Sequence, residues 1–117
     1  MVEHVLVQQA LARGETDPKY HSLTRPSPLE AEATHRAIVL SHVAGNVPLY
    51  VVHMSAGDAL NEIAAARHQG RNVFAETCPQ YLYLTLEETL AKPGFEGAKW
   101  VCSTPVRSKT NDPHYVG

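Results

Sequence analysis

Residues 48–55 read PLYVVHMS. Leu49, Tyr50, Val51 and Val52 form a short apolar run without polar alternation, the signature of a strand buried on both faces. The run ends at His53, and Ser55 opens a helix that carries Leu60, Ile63 and Ala64 inward and stops at Gly70. NVFAE, Asn72 to Glu76, reads as a second strand. Thr85-Leu86-Glu87-Glu88 is a capping box for a short helix to about Ala91, and KPGFEG is a turn. KWVCS, Lys99 to Ser103, reads as a third strand.

Upstream, the helical spacing over residues 2–13 groups Val2, Val5, Leu6, Gln9 and Ala10, with Gly14 as the stop. Residues 14–27 hold prolines, a glycine and polar side chains, and read as a loop. Ser27-Pro28-Leu29-Glu30 is a second capping box. It opens a helix to about Ala44 with Leu29, Ala33, Ala37, Leu40 and Ala44 on one stripe. Strand–helix–strand units of this kind pair in parallel and are covered by helices. The expected class is α/β, either an open doubly wound sheet or part of a (β/α)8 TIM barrel with about three parallel strands. A whole barrel takes about 250 residues, so 117 residues of barrel sequence would be a central fragment, residues 1–117 forming one piece without a second domain.

The bulk properties narrow the classes. The chain is 44% hydrophobic and 19% charged with a net charge of −2, which describes one globular domain. Arg107-Ser108-Lys109 is the longest basic cluster, too small for a nucleic-acid footprint. No run approaches the roughly 18 to 20 apolar residues of a membrane span. The N-terminus MVEHVLVQQ lacks the marks of a secretory signal, and Cys78 and Cys102 alone make no disulfide framework. Cytoplasm is therefore the expected location.

In both architectures ligands sit at the carboxyl ends of the parallel strands. Those ends read His53-Met54-Ser55, Glu76-Thr77 and Cys102-Ser103-Thr104. His53 is either a core histidine satisfied by one hydrogen bond or a ligand for a divalent metal, which needs at least three protein donors. His4, His21, His35, His42, His68 and His114 read as solvated or ordinarily packed, and the two cysteines as buried and inert. Glu76 reads as a partner for backbone in the turn that follows it, with a general base or a partner orienting an imidazole as the other readings. No glycine-rich phosphate loop follows any strand.

Taken together, GETDPKYHSLTRP, EAEATHRAI, PLYVVHMS, FAETCPQYLYL and KPGFEGAKWVCSTPVRSK resemble the hydantoinase and dihydropyrimidinase family of the amidohydrolase superfamily. The likeness runs from about Leu6 to Lys109, and ETCPQYL with KPGFEGAKWVCSTP is closest to the hydantoinase and phenylhydantoinase branch. The resemblance implies a (β/α)8 barrel, a homotetramer and two divalent metals, most often zinc. It implies hydrolysis of cyclic diamides such as hydantoins and dihydropyrimidines to N-carbamoyl amino acids, by a hydroxide bridging the metals. His53 matches the histidine of the family's VVH-x-S, a ligand of one metal. Ser103 matches the serine of its W-x-S-x-P, whose backbone contacts the imide of the substrate ring. The family's H-x-H pair, carboxylated lysine, oxyanion tyrosine, other metal histidine and aspartate have no counterpart in these 117 residues. No catalytic residue is therefore assigned, and the fragment alone is expected to be inactive. Two rivals stand beside this reading: a non-catalytic, tetramer-forming relative of the same family, and a small doubly wound binding module.

Overall fold

The computed structural model describes residues 1–111. The order is α1 (Val2–Ala12), α2 (Tyr20–Leu23), α3 (Ser27–Val43), β1 (Leu49–Val51), α4 (Gly57–His68), β2 (Val73–Ala75) and α5 (Pro79–Tyr83), followed by 3-10 turns at Glu96–Trp100 and Lys109–Asn111. The strands β1 and β2 pair in parallel, Leu49 with Val73, Tyr50 with Phe74 and Val51 with Ala75. The parallel α/β expectation from PLYVVHMS is met, with α4 as the crossover.

The third strand is not. Lys99 and Trp100 lie in a 3-10 turn, and Val101–Ser103 run without ladder partners, so among the described residues the sheet has two strands. A strand needs a neighbour to satisfy its backbone; here the Val101 N–H bonds the Ala98 carbonyl and the Cys102 carbonyl meets the His21 side chain. The capping box at Thr85 opens turns rather than a helix, although Thr85 Oγ1 does donate to Glu88 at 3.1 Å. The expected loop 14–27 contains α2, and α5 was not foreseen.

Two apolar clusters hold the chain together. In the first, Ile38 from α3 and Ala59, Ile63 and Ala66 from α4 pack with Met54, Ala56 and Val73 on one face of the sheet. The buried stripe of α3 is Thr34, Ile38 and Ser41. It is rotated from the expected one, for Leu40 is 62% exposed and Ala33 and Ala44 face solvent. Hydrophobic spacing alone does not say which of two adjacent apolar stripes meets a neighbour, and α4 meets the one centred on Ile38. On α4 itself Ala64 is exposed. The strands are covered on one face only. Tyr50, Val52 and Phe74 are about half exposed while Val73 is fully buried, which corrects the expectation of burial on both faces. α1 buries only Ala10 of its stripe.

The second cluster joins Tyr81, Leu90 and Val106, with Cys78, Leu84, Trp100 and Cys102 against it. Its closest approach is at Gly97, where an added Cβ would lie 2.4 Å from the Leu90 carbonyl oxygen. That atom is backbone and cannot swing away, so Gly97→Ala is expected to destabilise the chain by about 1–3 kcal/mol. A urea midpoint equal to that of the unsubstituted protein would contradict this close approach.

Candidate functional site

A cleft of about 550 Å³ opens where β1 ends, and both His53 and Ser103 line it. Glu3, His21, Arg25, Glu30 and Arg107 also line it. Four segments distant in sequence therefore supply the lining.

The β1 end is held by the loop after β2. The Met54 N–H donates to the Glu76 carbonyl at 3.0 Å, and the Glu76 N–H to the Val51 carbonyl at 2.9 Å. Thr77 Oγ1 donates to the Met54 carbonyl at 2.6 Å. Between these anchors His53 takes φ +55, a left-handed conformation uncommon for a residue with a side chain. The twist turns the imidazole out of the sheet, so the side chain is exposed and not sealed in a core. Its Nδ1 lies 3.4 Å from Cys78 Sγ. The Glu76 carboxylate does not reach His53. It accepts from the Tyr50 phenol at 3.0 Å, and that bond raises the Tyr50 pKa above the usual tyrosine value.

Below the cleft sits a polar cluster that the sequence reading missed. Glu30 Oε1 accepts the N–H groups of Ser55 and Ala56 at 2.8 and 3.1 Å. Its Oε2 accepts Ser55 Oγ at 2.6 Å and Arg107 Nη2 at 2.7 Å. Arg107 also donates through Nε to Ser55 Oγ at 3.1 Å and through Nη1 to the Arg25 carbonyl. Both side chains are largely buried, 16% exposed for Glu30 and 6% for Arg107. Glu30 was expected to close a capping box on its own helix. Pro26 occupies the N-cap instead, which places Ser27 inside α3, and the carboxylate serves the backbone just ahead of α4, whose own N-cap, Ala56, has no capping side chain. A carboxylate there is favoured by the positive end of the α4 dipole.

Ser103 is exposed at the cleft rim. Its flanks are pinned: His21 Nε2 lies 2.5 Å from the Cys102 carbonyl, and the Tyr81 hydroxyl donates to the Thr104 carbonyl at 2.8 Å. Burial, reinforced by the neighbouring Cys102 thiol, pushes the Tyr81 pKa up to about 12, so the hydroxyl keeps its proton at neutral pH. Both cysteines are half-buried rather than buried, because each sits at an edge of the second cluster, one by His53 and the other with its thiol donating to the Thr104 carbonyl at 2.8 Å.

No family model matches the chain. The D-hydantoinase of Streptomyces coelicolor is 64% identical over 105 residues, covering 90% of this chain and 22% of that protein. Over this stretch the chain is similar to the hydantoinases. The D-hydantoinase of Geobacillus stearothermophilus is 56% identical over 104 residues, covering 89% of the chain and 22% of the relative. A crystal structure of dihydropyrimidinase from Brevibacillus agri superposes with a TM-score of 0.88 at 55% identity, over 95% of the chain and 24% of its own. The chain thus spans about a fifth of the length of the curated hydantoinases it matches.

Hydantoinase kinship raises the question of a metal, and the donor set answers it for these residues. A divalent centre takes at least three protein donors. Among the described residues no group of three or more His, Cys, Asp or Glu side chains comes together in a way that could hold one. His53 with the Cys78 thiol beside it falls short, so the described residues do not by themselves make a metal site. Of the other histidines, His35 pairs with Glu62 at 2.8 Å on the surface, and His4, His42 and His68 are exposed, as expected. His21, expected to be solvated or ordinarily packed, is half-buried and lines the cleft. His114 lies outside the described residues. No helix among the described residues is long and apolar enough to cross a membrane.

Proposed function

We propose that this chain is part of the barrel of a cyclic-amide hydrolase that opens hydantoin or dihydropyrimidine rings to N-carbamoyl amino acids. The observation that carries this reading is the 64% identity with a D-hydantoinase over 105 residues. The two parallel strands, with ligand-facing groups at their carboxyl ends, form an arc of a (β/α)8 barrel. The complete protein closes that arc and works as a homotetramer in the cytoplasm.

In this reading His53 is one ligand of a two-zinc centre, and the remaining ligands come from the rest of the complete protein. The metals, when bound, supply an activated water and polarise the carbonyl under attack. The chain's own residues bind and orient the ring. Ser103 presents a backbone N–H and carbonyl to which no protein group bonds among the described residues, a donor and an acceptor side by side. An imide edge offers the complementary acceptor and donor, so the ring is held by its amide groups and not by its 5-substituent.

The complete protein, loaded with zinc, is expected to consume hydantoin, 5-phenylhydantoin or dihydrouracil and release the N-carbamoyl acid, with loss of turnover on chelation. A zinc-loaded protein that opens none of these rings would overturn the reading.

A further inference from the structure

The segment around Ser103 was expected to be a strand, yet it has no ladder. Its backbone is held by side chains from two helices. On one flank the Cys102 carbonyl can only accept, so the nitrogen 2.5 Å from it, His21 Nε2, must carry a proton. On the far side of the same ring, Arg25 Nη1 lies 3.2 Å from His21 Nδ1. A guanidinium can only donate, so Nδ1 carries a lone pair. The two contacts select one neutral tautomer of His21. Arg25 is in turn held by Glu3 at 2.6 Å. On the other flank the Tyr81 hydroxyl and the Cys102 thiol, each at 2.8 Å, converge on the Thr104 carbonyl.

The Cys102–Ser103 and Thr104–Pro105 peptide groups are therefore anchored through their carbonyls, while the Ser103 N–H and carbonyl are left unbonded among the described residues. A segment with no sheet neighbour would otherwise sample several orientations of those groups. We propose that His21 and Tyr81 act as a clamp that positions the backbone of Ser103 to bind a cyclic diamide. This rests on the functional reading above and adds two positioning residues to it. Neither touches the substrate. Their loss would weaken ring binding and leave the chemistry of the bound ring nearly intact.

The test uses the complete, zinc-loaded protein with three substitutions. His21→Asn places its amide where Nδ1 was, out of reach of the Cys102 carbonyl, whereas His21→Gln returns an N–H donor to the position of Nε2. Tyr81→Phe removes only the hydroxyl. Losing one positioning hydrogen bond is expected to raise KM for hydantoin about fivefold to tenfold in His21→Asn and Tyr81→Phe. kcat is expected to stay within about twofold, zinc content unchanged, with KM restored in His21→Gln. Should His21→Asn fail to fold, the KM and kcat of Tyr81→Phe decide the matter. An unchanged KM in Tyr81→Phe, a fall in kcat as large as the rise in KM, or a His21→Gln protein no better than His21→Asn would overturn the clamp. An unsubstituted protein without ring-opening activity would instead overturn the functional reading, and the clamp with it.

Discussion

Replacing His53 in the complete protein is expected to remove one divalent ion per subunit and to lower ring opening by about a thousandfold or more. The size follows from the several kcal/mol that a metal contributes to a hydrolytic transition state, since about 4 kcal/mol is three powers of ten in rate. The choice of substitution matters because His53 sits at φ +55. Histidine already bears the cost of that conformation, and asparagine tolerates the left-handed region better than alanine does, so His53→Asn is the cleaner partner variant. Both remove the imidazole. Metal stoichiometry by elemental analysis, beside kcat/KM, separates ligand loss from misfolding. A His53→Asn protein that keeps its full metal complement and its turnover would refute the ligand assignment.

The second large effect is one of stability. Arg107→Ala would leave the Glu30 carboxylate largely buried with its cationic partner gone, and removing one member of a buried ion pair typically costs about 3–5 kcal/mol. That is a large share of the roughly 5–15 kcal/mol that separates most folded domains from their unfolded states. The loss should appear as a lower urea midpoint and as faster hydrogen exchange at the Ser55 and Ala56 amides, which bond to the Glu30 carboxylate. Replacing both partners, as in Glu30→Leu with Arg107→Met, removes both charges but leaves the buried Ser55 and Ala56 N–H groups without an acceptor, so the double substitution is expected to cost at least as much as Arg107→Ala alone. A single Arg107→Ala substitution that costs under 1 kcal/mol would show that the cluster does not hold α3, the start of α4 and the 105–107 segment together.

The cluster also marks the limit of what could be read from the chain. Glu30 has a local signal, since it stands where a capping box expects an acid, but that signal points to the wrong helix. Arg107 lies 77 positions away within a short basic run, and nothing near it in sequence indicates burial. His21 has the same difficulty: Arg25 is a local neighbour four positions on, but the Cys102 carbonyl is 81 positions away and meets the ring only through the packing of α2 against that later segment. The third strand failed for a related reason. KWVCS has the composition of a strand, but pairing depends on a neighbour, and among the described residues none lies alongside it.

What the sequence by itself determined is local or repeated along the chain: the three longest helices, the two strands of PLYVVHMS and NVFAE with their parallel pairing, and the kinship carried by several ordered blocks. Periodicity and turn chemistry act over a few residues, and they need no partner to be legible. The tertiary structure decided which stripe of α3 is buried, which helix the Glu30 carboxylate serves, and that His21, His53 and Ser103 share one cleft. Those outcomes depend on distances between segments far apart in the chain, which side-chain packing sets and no local pattern encodes.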